Sequence, residues 1–175
     1  MERAQRGDQA AFADLARSLS TPLFAVAHRI LRDFHAAEDA TQQAIVLIWR
    51  DLPNLRDPDK FTAWSYRVLV NVCYGEAQRG RRMSGAALAL GDAGAHDPHG
   101  SVADRDLLSR AFERLRPEQR AVLVLQYYLD LDQAEIADYL GIPVGTVKSR
   151  ASSARNALRA VLDADRRLSA AEGTA

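Results

Sequence analysis

The sequence predicts an all-α fold in two small helical domains joined by a flexible linker, the second containing a helix-turn-helix. Three observations carry this. Apolar residues recur at spacings of three and four almost throughout, and strand-like alternation is nearly absent. One segment, "MSGAALALGDAGAHDPHGSVAD" at 83–104, breaks that rhythm. It is rich in Gly, Ala, Asp and His and has no aromatic residue, the composition of a linker. Further on, "EIADYLGIPVGTVKSR" at 135–150 has the pattern of two short helices about a tight turn. The expected division is a domain at 1–82, the linker at 83–104, a second domain at 105–165 and a frayed tail at 166–175.

Within the first domain the periodicity predicts a helix over 9–18 and another over 21–32, with Pro22 suited to its first turn. A third helix is expected over 36–51. It carries "AAEDATQQAIVLIWR", polar at Glu38, Asp39, Gln42 and Gln43 and then apolar to Trp49. Acids at a helix start favour the positive end of its dipole, and a protein-binding surface accounts for them equally well. A loop, "PNLRDPDK", follows, and then a long helix over 61–78. That helix offers rings at Phe61, Trp64, Tyr66 and Tyr74, and Arg79, Arg81 and Arg82 follow as a basic end. Rings interleaved with Arg suit unstacked bases on a phosphate backbone. Phe61 and Trp64 also read as core. Asn71, in the middle of an otherwise apolar helix, needs a partner within the fold or on a base edge.

In the second domain a helix is expected over 117–129, and the helix-turn-helix follows. Asp132 and Glu135 have capping-box spacing. Gly141 suits the positive φ of a helix end, and Pro143 resists continuing that helix. Ile136, Ala137 and Leu140 share a face that Val147 of the next helix would meet. From 130 to 138 there are four acids and no base, and from 143 to 159 four bases (Lys148, Arg150, Arg155, Arg159) and no acid. A second helix with this charge is suited to a phosphate-lined major groove. By helix geometry positions 148, 149, 152 and 153 share one face, from which Arg150 is turned away.

Composition narrows the function. Formal net charge is zero, so attraction to nucleic acid has to come from local patches. Cys73 is the only cysteine, which excludes an internal disulfide and a cysteine-built zinc site and leaves a small core residue. His35 and Glu38 have a spacing that metals can use, but no second such pair appears, and His28, His96 and His99 have no coherent partners. No metal, no cofactor and no catalytic constellation is expected. No apolar run approaches the ~20 residues of a membrane span. With no apolar leader at the N-terminus, a soluble, cytoplasmic protein without membrane insertion is expected.

Taken together, "GDQAAFADL", "RILRDFHAAEDATQQ", "IWRDLPNLRD", "FTAWSYRVLVNV" and "GIPVGTVKSR" resemble, in the same order, the motifs of the extracytoplasmic-function (ECF) sigma factors of bacterial RNA polymerase. The resemblance covers nearly the whole chain except the linker and tail. It implies that Asp33, Glu38, Asp39, Gln42 and Gln43 dock on the β′ clamp helices of the polymerase core, with the β flap as a further contact. It implies that residues 55–60, including Leu55, Arg56 and Lys60, together with Asn71, form the pocket for a flipped base of the −10 element. Arg79, Arg81 and Arg82 would follow the backbone there. Thr146, Lys148, Ser149, Arg150, Ser152, Ser153 and Arg155 would serve the −35 element. Promoter DNA and an anti-sigma factor are the other partners it implies.

The sequence also departs from the family pattern. Gly75 stands where many members carry Asp, Ile45 where an aromatic is frequent, and Ala151, Ser152 and Ser153 where Leu and a further Arg are common. An Arg contact to guanine is therefore missing at Ser153. The competing reading is a one-component helix-turn-helix regulator, which would show a ligand pocket or dimer symmetry and bind its operator alone. A helical enzyme would need a metal or nucleophile cluster.

Overall fold

A computed structural model describes residues 1–84 and 102–172 of the chain. Among these residues there are eight α-helices and no strand: α1 (Glu2–Gln5), α2 (Gln9–Leu31), α3 (Phe34–Asp51), α4 (Phe61–Ser84), α5 (Val102–Glu113), α6 (Pro117–Tyr127), α7 (Gln133–Leu140) and α8 (Val144–Glu172). The all-α expectation holds.

The stretch expected as two helices is one, α2, with Pro22 inside it. A proline in a helix interior costs ~3 kcal/mol. Leu23, Val26, Ala27 and Ile30 are fully buried on one side of this helix. Burying such side chains stabilises by roughly 1.5–3 kcal/mol for each large one, so tertiary packing outweighs the proline. Asp8 caps the helix start by accepting from the Ala11 amide at 3.0 Å. Arg32 ends it in a left-handed conformation, φ 62°, with its amide donating to the His28 carbonyl at 2.8 Å. Asp33 then caps α3, accepting from the Ala36 amide at 2.7 Å.

Helix α4 runs to Ser84, past the expected 61–78, and α5 begins at Val102, inside the segment expected as linker. Helix α5 was not expected as an element of its own, although Ala111 within it and Leu115 just after it are buried and Phe112 is half-buried. Helix α8 continues to Glu172, where a frayed tail was expected from 166. The rest of the linker expectation, with His96 and His99, lies outside the described residues.

Helices α2, α3 and α4 pack on one another, and α5 to α8 pack around α6 and α8. The two groups also meet: α6 lies on α2 and α4, and α7 lies on α4. One apolar cluster runs through both, from Leu23 and Ile48 through Leu69 and Cys73 to Val122, Leu125 and Val147. Polar and aromatic contacts reinforce the meeting. The Arg29 guanidinium sits over the Tyr128 ring at 3.7 Å, Arg32 pairs with Glu113 at 3.6 Å, and Tyr66 stacks on Tyr139.

Candidate nucleic-acid interface

Helix α3 buries Ala37, Ala40, Ala44 and Ile48 and turns its polar residues outward. Asp33, Glu38, Asp39, Gln42 and Gln43 are all exposed, and so are Phe34 and Val46, at 56% and 64%. Glu38, Gln42 and Val46 follow one another at i, i+4 spacing, so carboxylate, amide and apolar surface form one stripe. That composition suits a protein partner better than water alone.

The loop after α3 is pinned from beneath. The Gln5 amide donates to the Leu55 carbonyl at 3.0 Å and to the Leu52 carbonyl at 3.4 Å. Asp57 accepts from the Asp59 amide at 3.1 Å, closing a short 3-10 turn just before α4. This leaves Arg56 and Lys60 exposed. Leu55, Lys60, Trp64 and Arg67 line one side of an open cleft, and α7 forms the other.

Asn71 is exposed, so the reading that made it a satisfied core amide falls. It lies in a separate shallow groove between α3 and α4, with Gln43, Asp51, Gly75 and Arg79. Arg79 reaches Gln43 at 3.4 Å and pairs with Glu76. Arg82 is exposed, and the side chain of Arg81 lies outside the described ones. The structure thus sets the loop residues and Asn71 on neighbouring surfaces of α4 instead of in one pocket. Trp64, read as core, is only half-buried, and Arg67 was not singled out at all. Their i, i+3 spacing beside Lys60 is the signal that could have found them.

The helix-turn-helix forms as its spacing predicts. Asp132 accepts from the amides of Ala134 and Glu135 at 2.7 and 2.9 Å, and Glu135 accepts from the Asp132 amide at 2.7 Å. Gly141 is left-handed, φ 63° and ψ 40°. Val147, Ala151 and Ala154 are fully buried along α8. Lys148, Ser149, Ser152 and Ser153 consequently face solvent, and Thr146 is half-buried. Ser149 donates to the Thr146 carbonyl at 3.0 Å, and Ser153 accepts from the Gln119 amide at 2.8 Å. Arg150 is half-buried and turned away from that face, toward α4. It approaches the Tyr74 hydroxyl, which is buried without a partner at hydrogen-bond geometry. Burial raises the Tyr74 hydroxyl to about 12 against the opposing pull of Arg150. Arg155 is half-buried in another groove, with Phe112, Tyr127 and Leu158, apart from the other residues expected at the −35 element.

Cys73 is fully buried, and burial pushes its thiol up to about 12, which fits a core residue and not a nucleophile. No group of residues able to hold a metal ion occurs among the described residues, and no helix there is long and apolar enough to cross a membrane.

Matches to known families over both helical units place the chain in the sigma-70 class. The family "Sigma-70 region 2" matches residues 15–83, and "Sigma-70, region 4" matches residues 105–158. The chain is 33% identical to the ECF RNA polymerase sigma factor SigL of Mycobacterium tuberculosis (strain H37Rv), covering 89% of this chain and 93% of that protein. It is 28% identical to the ECF RNA polymerase sigma factor SigW of Bacillus subtilis, over 91% and 92%. Among solved structures it is similar to CnrH in complex with the cytosolic domain of CnrY (TM-score 0.64, 28% identity, 94% of this chain and 95% of that one). The fold is also shared with RpoE of Bartonella quintana in complex with the anti-sigma factor NepR (TM-score 0.70, 24% identity, 89% and 98%). The chain belongs to the ECF RNA polymerase sigma factors, and it directs core RNA polymerase to promoter DNA.

Proposed function

We propose how this chain divides that work among its residues. Asp33, Glu38, Asp39, Gln42 and Gln43 of α3 dock on the β′ clamp helices of core polymerase, and the second helical unit also meets the β flap. Lys148, Ser149, Ser152 and Ser153 read the −35 element in the major groove, with Thr146 and Arg150 on its phosphates. Leu55, Arg56, Lys60 and Asn71 receive melted −10 bases, and Arg79, Arg81 and Arg82 follow that strand. The chain catalyses no chemistry of its own. It acts in the cytoplasm with the polymerase and is restrained there by an anti-sigma factor, as RpoE of Bartonella quintana is bound by NepR in its solved complex.

The observation that carries this reading is the recognition helix. A buried seam at Val147, Ala151 and Ala154 holds α8 so that a compact polar face with one Lys is free for DNA. Run-off transcription with purified core polymerase, with and without the chain, tests it. Promoter-specific transcripts are expected only with the chain. Duplex binding by the chain alone, with no effect on the polymerase, would instead establish a one-component regulator.

A further inference from the structure

The hydroxyls on the exposed face of α8 are not equivalent. Ser153 accepts from the side-chain amide of Gln119 in α6 at 2.8 Å. Gln119 is buried, and its orientation is fixed from the other end. Its Oε1 accepts from the Arg116 backbone amide at 2.9 Å. A backbone N–H can only donate, so the oxygen of the Gln119 side chain has to face Arg116 and the NH2 has to face Ser153. The Ser153 oxygen is therefore held as an acceptor on its inner side. Its own proton has no acceptor among the described residues.

Ser149, four positions earlier on the same face, is set the other way. It donates to the Thr146 carbonyl at 3.0 Å, so its proton is taken by the backbone and its lone pairs are left for a partner. Base edges in the major groove differ in the same terms. Guanine and thymine present acceptors alone, cytosine an amino donor alone, and adenine one of each. A hydroxyl proton covered by an edge without an acceptor is left buried and unsatisfied. Opposite cytosine the Ser153 proton is in that position, and opposite guanine or thymine it is satisfied. For Ser149 the preference reverses. The amino group of adenine or cytosine donates to it, whereas guanine and thymine set acceptor against acceptor.

We propose that the two serines read the −35 element with opposite polarity, Ser153 as donor to guanine or thymine and Ser149 as acceptor from adenine or cytosine, and that Gln119 is the positioning residue that sets Ser153. Gln119 stays beneath the face and touches no base. The relay begins at the Arg116 amide, so the start of α6, outside the helix-turn-helix, takes part in reading sequence. The inference rests on the −35 role proposed above. It adds Gln119 to that role and names the base chemistry of two positions.

The test is selection of promoter DNA randomised over the −35 element, with the full chain on core polymerase. Ser153→Ala and Ser149→Ala locate the position that each serine reads, where the wild-type bias should fall about five- to tenfold, the size of one hydrogen bond. In the wild type the Ser153 position should hold guanine or thymine and the Ser149 position adenine or cytosine. Gln119→Glu tests the relay. One carboxylate oxygen still accepts from the Arg116 amide, and an acid at the third position of a helix suits its start. The other oxygen can only accept, so Ser153 must turn its proton inward and show lone pairs to DNA. The Ser153 position should then change to adenine or cytosine while the Ser149 position keeps its bases. Gln119→Met, apolar and of similar length, should leave the Ser153 position nearly indifferent. A purely structural Gln119 would lower the melting temperature and weaken all sequences alike, without changing the base chosen.

Cytosine at the wild-type Ser153 position, or guanine or thymine at the Ser149 position, overturns the polarity without recourse to any Gln119 variant. A bias at the Ser153 position that survives both Gln119→Glu and Gln119→Met overturns the relay. If Ser153→Ala and Ser149→Ala leave the selected sequence as it is, the −35 face itself is wrong. That failure is distinct from wrong polarity, in which both positions respond but hold the opposite bases.

Discussion

Replacing Asn71 by Ala should slow promoter opening without weakening the protein. The side chain is exposed in the middle of α4, with no buried partner to lose. Substitutions at such positions usually change stability by no more than ~0.5 kcal/mol, and Ala is the better helix former, so the melting temperature should hold or rise slightly. The functional cost is of another size. An Asn amide bidentate to an adenine edge discriminates by roughly 1–3 kcal/mol. Lost from the opening step, that slows formation of the open complex by about 5- to 150-fold, at ~1.4 kcal/mol per factor of ten. Closed-complex binding, which draws on the −35 face and the polymerase contacts, should change little. The assay is a permanganate footprint followed over time beside a thermal melt. A drop of several degrees in melting temperature with a normal opening rate would refute the reasoning, because it would make Asn71 a structural residue after all.

Glu38→Lys with Asp39→Lys should weaken binding to core polymerase at least severalfold in co-purification while leaving the melting curve unchanged, since both residues are exposed; wild-type recovery of the complex would sink the docking face. Stability should fall as pH rises above about 9, because the Cys73 thiol is raised from 9.0 to about 12 and the Tyr74 hydroxyl from 10.0 to about 12. Both groups give up their protons more readily in the unfolded chain, so their contribution is complete below pH ~9 and is lost progressively towards ~12; urea melts at pH 8 and 10.5 should show it, and Cys73→Ala should flatten the trend. Lys148→Ala and Ser149→Ala should alter the −35 sequence recovered from randomised DNA, whereas Arg150→Ala should weaken all sequences alike and lower the salt slope by ~1. A changed consensus for Arg150→Ala alone would mean that α8 is turned differently on DNA. Ser153→Arg should strengthen binding to a guanine-containing −35 site, less than a free surface would allow, because it also takes away the acceptor of the Gln119 amide.

What the sequence made legible was local. The turn at Gly141, the capping box at Asp132 and Glu135, and the burial of Val147 against Ile136, Ala137 and Leu140 depend on residues a few positions apart, and each came out as the spacing required. Pro22 misled because it suits a first turn and so marked the start of a second helix, whereas the buried Leu23, Val26 and Ile30 beside it hold it inside one. Asn71 was joined to the loop as one base pocket, yet seven residues of α4 carry it ~10 Å along the helix axis from Trp64, to the groove shared with Gln43 and Arg79. Arg155 was assigned by charge to the DNA face, but it follows Ala151 by four positions and so lies beside the buried seam.

The meeting of the two helical groups had no local signature. A face of α4 carrying Leu69, Val70 and Cys73 looks the same in the sequence whether α2 or α6 covers it. The structure shows that both do, and the contact has a mixed character. Val122 and Leu125 supply a dry centre, while Arg29 on Tyr128, Tyr66 on Tyr139 and the pair Arg32–Glu113 surround it. Rings, arginines and part-exposed ion pairs are the materials of interfaces between separable bodies more than of permanent cores. Lys60 and Arg67 at the start of α4 face Glu135 and Asp138 of α7 across its edge. An interface with a dry centre and a charged, wettable rim can be stable in the free chain and still be exchanged for a larger one. For a factor that works bound to core polymerase and promoter DNA, those two together would provide that larger surface.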